Sequence, residues 1–144
     1  MSINSPTSAP DTSASLTLTP PEPVVAITDG EAARMVREIQ SPSVRSMLDC
    51  SAAGRMEKQP LAVLVEQWLP QGVIAHVQLN DRNRRGPGQG EQKFAPLLAA
   101  LKRHRYAGDL AVEPFDYVPD GPGAAARAIG YVRGVLEALD NTPS

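Results

Sequence analysis

Three apolar segments of strand length recur along the chain, and a helical pattern follows each of them. They lie at 44–48, 73–79 and 110–112, and their starts, at 44, 73 and about 109, are separated by 29 and 36 residues. Strand–helix–strand units of this spacing place the strands parallel to one another and join them by right-handed crossovers. The sequence therefore predicts an α/β fold built on a parallel sheet.

The helical segments carry apolar residues at the spacing of one buried face. A capping box, Thr28 to Glu31, predicts the start of the first helix, and the residues between 51 and 58 are predicted to form a loop. The predicted buried faces are Ala32, Met35, Val36 and Ile39; Leu61, Leu64, Val65, Trp68 and Leu69; Phe94, Leu97, Leu98 and Leu101; and Ala125, Ile129, Val132, Leu136 and Leu139.

The first 23 residues differ from the rest because they are rich in Ser, Thr and Pro and show no apolar periodicity. Such a segment cannot bury enough apolar surface to offset the entropy lost on ordering. We therefore expect a disordered tail at 1–23 and a folded part at 24–140. No Lys or Arg precedes Arg34, so the tail does not have the pattern of a transit peptide. The apolar run from Val24 to Ile27 predicts one further strand.

Composition excludes several classes of protein. A single cysteine cannot form an internal disulfide and is typical of a reducing compartment, so we expect the cytoplasm. The net charge of −2 and the pI near 5.6 argue against nucleic acid as a partner. Nowhere do 18 consecutive apolar residues occur, which argues against a membrane span.

Three oxygen-bearing side chains follow the predicted strands. Asp49 ends the first, Gln78 lies near the end of the second, and Glu113 closes the third. Chemistry in parallel α/β sheets occurs at the carboxyl ends of the strands, and carboxylate and amide oxygens suit Mg²⁺ or Mn²⁺. The three residues are thus candidate ligands of a divalent cation. The alternative is structural, because acids at strand ends also cap helices and pair with arginine.

The segments AHVQLNDRNRRGPGQG, KFAPLLAAL and YAGDLAVEPFDY closely resemble the C-terminal half of the sugar phosphate isomerase/epimerase family, whose members are xylose-isomerase-like TIM barrels. SVRSMLDCSAAG is similar to the family strand that ends in a metal-binding Asp. The resemblance covers about 30–139. It implies a partial (βα)8 barrel that comprises the last three to four βα units.

The resemblance also implies site residues. Asp49 matches the metal-binding Asp, and Glu113 matches the carboxylate that binds metal and exchanges a proton with a substrate carbon. Gln78 stands where ketose epimerases have a His and hydroxypyruvate-isomerase-like members have a Gln. Arg84 matches the substrate-contacting Arg of the family. His76 is also expected at the substrate site, where it supports other residues and does not bind the metal.

One position departs from the family pattern. Many members carry a substrate-contacting His three residues after the metal-binding Asp, and Ala52 stands there in this chain. The departure puts ketose-epimerase specificity in doubt.

The implied reaction is a proton shift beside a carbonyl through an enediolate that a metal ion stabilises. The family uses two glutamates, at the ends of barrel strands 5 and 8, and Glu113 matches the second. The residues expected to contain the first, 15–19, hold no acid, and Glu22 is flanked by prolines. Since a full barrel takes about 250 residues, we expect a truncated chain with weak or no activity alone. Exposed sheet edges predict a homo-oligomer, a complementing half-barrel or poor solubility.

Three functions remain open from the sequence. The first is an isomerase or epimerase of a sugar or a small hydroxy-carbonyl compound, and the second is a non-catalytic barrel fragment that acts as an assembly partner. The third is a metal-dependent endonuclease, which the resemblance makes less favoured because multi-zinc nuclease sites need many His ligands and the chain has two.

Other conspicuous residues have structural interpretations. Arg82, Arg84 and Arg85 also fit a solvated loop, and the segment 86–90, GPGQG, lacks the Lys-Ser/Thr of a phosphate-binding loop and fits a turn. Cys50 is expected to be unreactive, and His104 is expected to belong to a charged helix end.

Overall fold

Four strands form one parallel sheet, with helices between them. The computed structural model describes residues 30–141 and, as backbone alone, 24–26. The predicted tail, the capping Thr28 and the positions 15–19 lie outside the described residues. In chain order the elements are β1 (Val24–Ala26), α1 (Glu31–Ile39), β2 (Arg45–Asp49), α2 (Cys50–Met56), α3 (Leu61–Trp68), β3 (Ile74–Gln78), α4 (Ala95–Arg103), β4 (Leu110–Ala111) and α5 (Gly121–Asp140).

The spatial order of the strands is β1-β2-β3-β4, and every neighbouring pair is parallel. This arrangement confirms the predicted α/β fold, and the pairing of β1 with β2 confirms the strand predicted after Pro23. Among the described residues no helix combines the length and the apolar composition that crossing a membrane requires.

The core lies between the sheet and the central helices. Leu48 and Val77 are register partners on β2 and β3, and both are completely buried. The predicted faces of α3 and of the segment that leads into α4 are confirmed, and each buried leucine there contributes about 1.5–3 kcal/mol. Buried residues of these two faces are Leu61, Leu64, Val65, Trp68, Phe94, Leu97, Leu98 and Leu101.

The helices at the two ends of the sheet differ from the prediction. On α1, Met35 and Ile39 are 46% and 50% exposed, although Ala32 and Val36 of the same predicted face are buried. On α5, Ala125 and Ile129 are exposed, and the buried residues are Ala124, Ala128 and Val132. The prediction of a fully buried face was wrong at both ends. In the described part of the chain α1 packs mainly against β2 and α5 packs against α4 alone among the helices, whereas α4 lies between α3 and α5.

The segment 51–58 was predicted to be a loop, and the prediction was wrong because α2 occupies most of it. Asp49 caps this helix: its Oδ1 accepts the main-chain N–H groups of Ser51 and Ala52 at 2.8 and 3.1 Å. The helix has only seven residues. Arg82 packs closely against it at Gly54, where a Cβ atom would lie 3.0 Å from Arg82 Nε. A short helix of small residues shows no apolar period, so its sequence resembles that of a loop.

The charged end of α4 is confirmed. Lys102 pairs with Asp140 of α5, and Arg103 and His104 both pair with Glu66 of α3. Hydrogen bonds from Arg103 and then His104 hold the pKa of the Glu66 carboxyl below its usual range. These contacts tie three neighbouring helices together on the outside of the sheet.

Candidate functional site

The carboxyl ends of β2, β3 and β4 bring the three predicted ligands to one rim. Asp49 and Gln78 are direct register partners, and Gln78 in turn faces Ala111. Glu113 follows Ala111 by two residues. Neighbouring strands lie about 4.8 Å apart, so Asp49 and Gln78 lie on adjacent strand ends, and Glu113 lies just beyond the end of the third strand.

The Asp49 carboxylate already has one structural task. Its Oδ1 accepts both capping hydrogen bonds of α2, whereas its Oδ2 makes no hydrogen bond with the described residues. The helix fixes the orientation of the carboxylate, and one oxygen is left for a ligand. The capping and the ligand interpretations of Asp49 are therefore compatible.

Gln78 and Glu113 differ in their surroundings. Gln78 is half-buried, and its side chain has no hydrogen-bond partner in the described part of the chain. Glu113 is exposed, and its carboxylate makes neither a hydrogen bond nor an ion pair with a described residue. Its main chain, in contrast, is held, because Glu113 N–H donates to Asn80 Oδ1 at 2.7 Å. Glu113 thus combines an available carboxylate with an anchored backbone.

His76 lies two residues before Gln78 on the same strand, and its register partner is Met47 of β2. The row of Met47 and His76 lies directly below the row of Asp49 and Gln78, on the sheet face that is half-buried rather than packed against helices. His76 is therefore one step below the rim.

Arg84 is attached to the segment that follows β4. Its main chain adopts a left-handed conformation, with φ of 71°, and its carbonyl accepts the N–H groups of Phe115 and Asp116 at 2.8 and 3.1 Å. Its guanidinium lies 5.5 Å from the centre of the Phe115 ring, and the neighbouring Arg85 pairs with Asp116 at 2.8 Å. Arg84 is thereby kept close in space to the segment that carries Glu113.

The long loop 80–92 is held by contacts at its base, although Arg82, Asn83 and Arg84 are exposed. Asn80 and Asp81, which sequence reasoning missed, are buried, and Asp81 Oδ2 accepts Gln92 N–H at 3.2 Å across the base of the loop. Gly90 packs against that carboxylate, because a Cβ atom there would lie 2.3 Å from Asp81 Oδ1. The glycine spacing of the loop was the sequence signal that could have indicated this close packing.

Cys50 lies beside Asp49 and is completely buried. Burial raises the pKa of its thiol far above the usual range, the Asp49 carboxylate adds to the rise, and the main-chain N–H of Asn80 opposes it. A neutral, enclosed thiol is a poor nucleophile, in agreement with the expected lack of reactivity.

The donors at the rim fit a hard cation better than a soft one. No group of three His, Cys, Asp or Glu side chains suited to a metal occurs among the residues that the structure describes. The candidate set is instead two carboxylates and an amide, the oxygen donors that Mg²⁺ and Mn²⁺ accept. Both cations also retain water or bind substrate oxygens, so three protein donors are compatible with such a site.

Comparisons with known proteins agree with this architecture. The family model described as xylose isomerase-like TIM barrel matches residues 18–135. No curated protein matches the chain.

Among solved structures, a D-psicose 3-epimerase crystallised in the presence of D-fructose matches with a TM-score of 0.66 at 22% identity, over 76% of this chain and 44% of the epimerase. An L-ribulose 3-epimerase matches with a TM-score of 0.65 at 20% identity, over 77% and 42%. A 3-keto-D-glucoside 4-epimerase from E. coli matches with a TM-score of 0.66 at 23% identity, over 74% and 40%.

This chain thus spans less than half the length of each of these epimerases. At such identities the likeness concerns the fold, and it confirms that the four parallel strands and their helices correspond to part of a barrel. Since the family model covers most of the sequence, the chain belongs to the xylose isomerase-like TIM barrel family.

Proposed function

We propose that this chain carries the metal-binding and acid–base rim of a sugar isomerase or epimerase. The observation that supports the proposal is the register of the sheet, which aligns Asp49 with Gln78 and Gln78 with Ala111, two residues before Glu113. Each structural neighbour named above is a sugar epimerase by its description. The proposed substrate class is therefore a hydroxy-carbonyl sugar, for which the ketose D-fructose serves as the probe.

Each residue has a distinct task in this proposal. Asp49 Oδ2 and Gln78 Oε1 would hold a Mg²⁺ or Mn²⁺ ion together with Glu113, and the ion would supply polarisation of the carbonyl and hydroxyl oxygens of the substrate. Glu113 takes a proton from the carbon beside the carbonyl, or returns one, since its carboxylate has no competing partner among the described residues. Arg84 contacts substrate oxygens, and His76 supports the ligands from below.

The described rim supplies a single carboxylate that is unengaged at both oxygens. Epimerisation needs one group to remove a proton and another to return it on the opposite face. We therefore propose that the chain alone exchanges a substrate proton with solvent but turns substrate over weakly or not at all.

The test is deuterium incorporation at C3 of D-fructose, followed by NMR in D₂O with the Mn²⁺-loaded chain. We expect slow incorporation that Glu113→Gln reduces by about 10²-fold or more, the usual contribution of a positioned acid–base group. Glu91→Gln, a change at an exposed glutamate of the loop 80–92, is the matched control and should retain the rate. No incorporation by the wild type, or an equal rate in Glu113→Gln, would refute the proposed chemistry.

A second candidate function, assembly with a partner, has its own support in the two end faces of the sheet. Beside the outer edge of β4 lies a largely apolar groove of about 440 Å³, lined by Leu110, Val112, Tyr117 and Ile129 among others, with Glu113 at its border with the rim. At the opposite end, Met35 and Ile39 are exposed on α1, the helix that joins β1 to β2. Apolar faces beside strand edges are typical of surfaces that another element covers.

We propose a second copy of this chain as the occupant. β1 and β4 each pair on one side only within the described sheet, and all strands run in the same direction. The β1 edge of one copy can therefore continue the sheet beyond β4 of the other copy. A two-fold arrangement covers both end faces at once and gives eight parallel strands, the number that closes a barrel of this type.

A further inference from the structure

Asn80 occupies an unusual position among the strand ends. It follows β3 by two residues, it is completely buried, and its side chain crosses to the segment after β4. Its Oδ1 accepts Glu113 N–H at 2.7 Å, while its Nδ2 is buried without a hydrogen-bond partner in the described part of the chain. Because a main-chain N–H can only donate, the atom it meets must be the oxygen, and the unpaired atom is the NH₂ group.

The hydrogen bond between Glu113 N–H and Asn80 Oδ1 takes the place of one main-chain hydrogen bond between β3 and the segment after β4. Leu79 N–H donates to the Ala111 carbonyl at 2.8 Å, which is the regular parallel pattern. The next regular step would join Glu113 N–H to the Leu79 carbonyl, but the acceptor is the Asn80 side chain. The chain after Ala111 thus leaves the sheet, and the Asn80 oxygen determines where Glu113 is placed.

A buried amide with one unpaired end is costly for stability. A side chain used only for packing would be replaced without penalty by an apolar group of the same size. The hydrogen bond to Glu113 N–H explains why an amide side chain stands at this buried position, which packing alone does not explain.

We propose that Asn80 is a positioning residue that holds the main chain of Glu113 and thereby keeps the Glu113 carboxylate at the rim beside Asp49 and Gln78. The inference rests on the proposed function for the role of Glu113, and it adds a residue outside the ligand and acid–base set.

The first test is amide hydrogen exchange of the full chain, which requires no metal. Asn80→Leu should accelerate exchange at Glu113 by about tenfold or more, because its acceptor is lost, while Leu79, with an intact main-chain partner, remains an unchanged internal reference. Asn80→Asp retains an acceptor oxygen and should keep Glu113 protected. Asn83→Leu is the control for the loop, since Asn83 bonds only to Arg85 and Gln89 within it.

Two results of that test would overturn the inference. One is a Glu113 amide that exchanges as fast in the wild type as in Asn80→Leu. The other is equal acceleration at Leu79, which would mean that the substitution loosens the strands in general.

The second test is the affinity for Mn²⁺, measured in a double-mutant cycle. Asn80→Leu should weaken binding about tenfold in the wild-type background and change it little in Glu113→Gln, because both substitutions disturb the same ligand. Equal losses in both backgrounds would contradict a role through Glu113. If the wild type did not bind Mn²⁺, the proposed function would fail, and the exchange experiment alone would decide the role of Asn80.

Discussion

At the scale of single residues, the thiol beside Asp49 has a consequence for stability. Cys50 is buried and its pKa is raised, so the folded state keeps the thiol protonated at a pH where the unfolded chain, with a pKa near 9.0, releases the proton. The unfolded state then binds fewer protons than the folded state, and stability falls as the pH rises.

We therefore expect the free energy of unfolding to decrease above about pH 9, with a slope that approaches about 1.4 kcal/mol per pH unit. Urea titrations between pH 8 and 10 measure this slope, and Cys50→Ala should remove most of it. The raised pKa of Tyr106, caused by burial and then by Asp109, acts in the same direction only at higher pH. A slope that is the same in Cys50→Ala would show that the thiol is not its source.

Sequence patterns indicated part of the candidate site and missed another part, for physical reasons. Asp49, Gln78 and Glu113 could be found because each follows an apolar run, and strand ends meet at one edge of a parallel sheet. Asn80 and Asp81 could not, because polar residues before an arginine- and glycine-rich segment have the composition of a solvated loop. Their burial depends on tertiary contacts with Glu113, Gln92 and Gly90.

At the scale of elements, the loop 80–92 packs against α5 through its glycines. Gly88 has a φ of 83°, and a Cβ atom there would lie 2.5 Å from the ring of Tyr131. Gly86 similarly approaches Ala128. The backbone of the loop therefore lies directly on the helix, and this packing fixes the segment that carries Arg84.

Gly88→Ala should destabilise the protein by at least about 2 kcal/mol, since it combines a left-handed backbone with a steric clash. Gly134→Ala on α5 is a matched control, because no atom lies near its Cβ position. It should stabilise the protein by about 0.5–1 kcal/mol through helix propensity. Urea unfolding at one protein concentration compares the two, and a neutral Gly88→Ala would contradict the close packing.

Element prediction succeeded where a helix has two neighbours and failed where it has one. The apolar period of α3 identified the buried Leu64, Val65 and Trp68 correctly. The same reasoning assigned Met35 and Ile129 to the core, yet both are exposed. An apolar stripe shows which face of a helix can be covered, but the covering element has to be present for that face to be buried.

At the scale of the whole molecule, the exposed end faces predict assembly. By light scattering at micromolar concentration, the wild-type protein should have a molar mass of about twice the 15.3 kDa of one chain. Ile129→Glu on α5 and Met35→Glu on α1 should each shift it to the monomer, because either charge disrupts one of the two end faces. Val63→Glu, at a comparably exposed position of the central helix α3, should leave the dimer intact. A wild-type chain that is monomeric and unfolds cooperatively would contradict the proposed assembly.

We propose that Asp49, Gln78 and Glu113 form a divalent-cation site, and calorimetric titration with Mn²⁺ is the test that decides it. We expect saturable binding to the wild type, unchanged binding to Glu91→Gln, and an affinity at least about tenfold weaker in Glu113→Gln, equivalent to about 1.4 kcal/mol. Absence of saturable binding in the wild type, or equal affinity in Glu113→Gln, would contradict it.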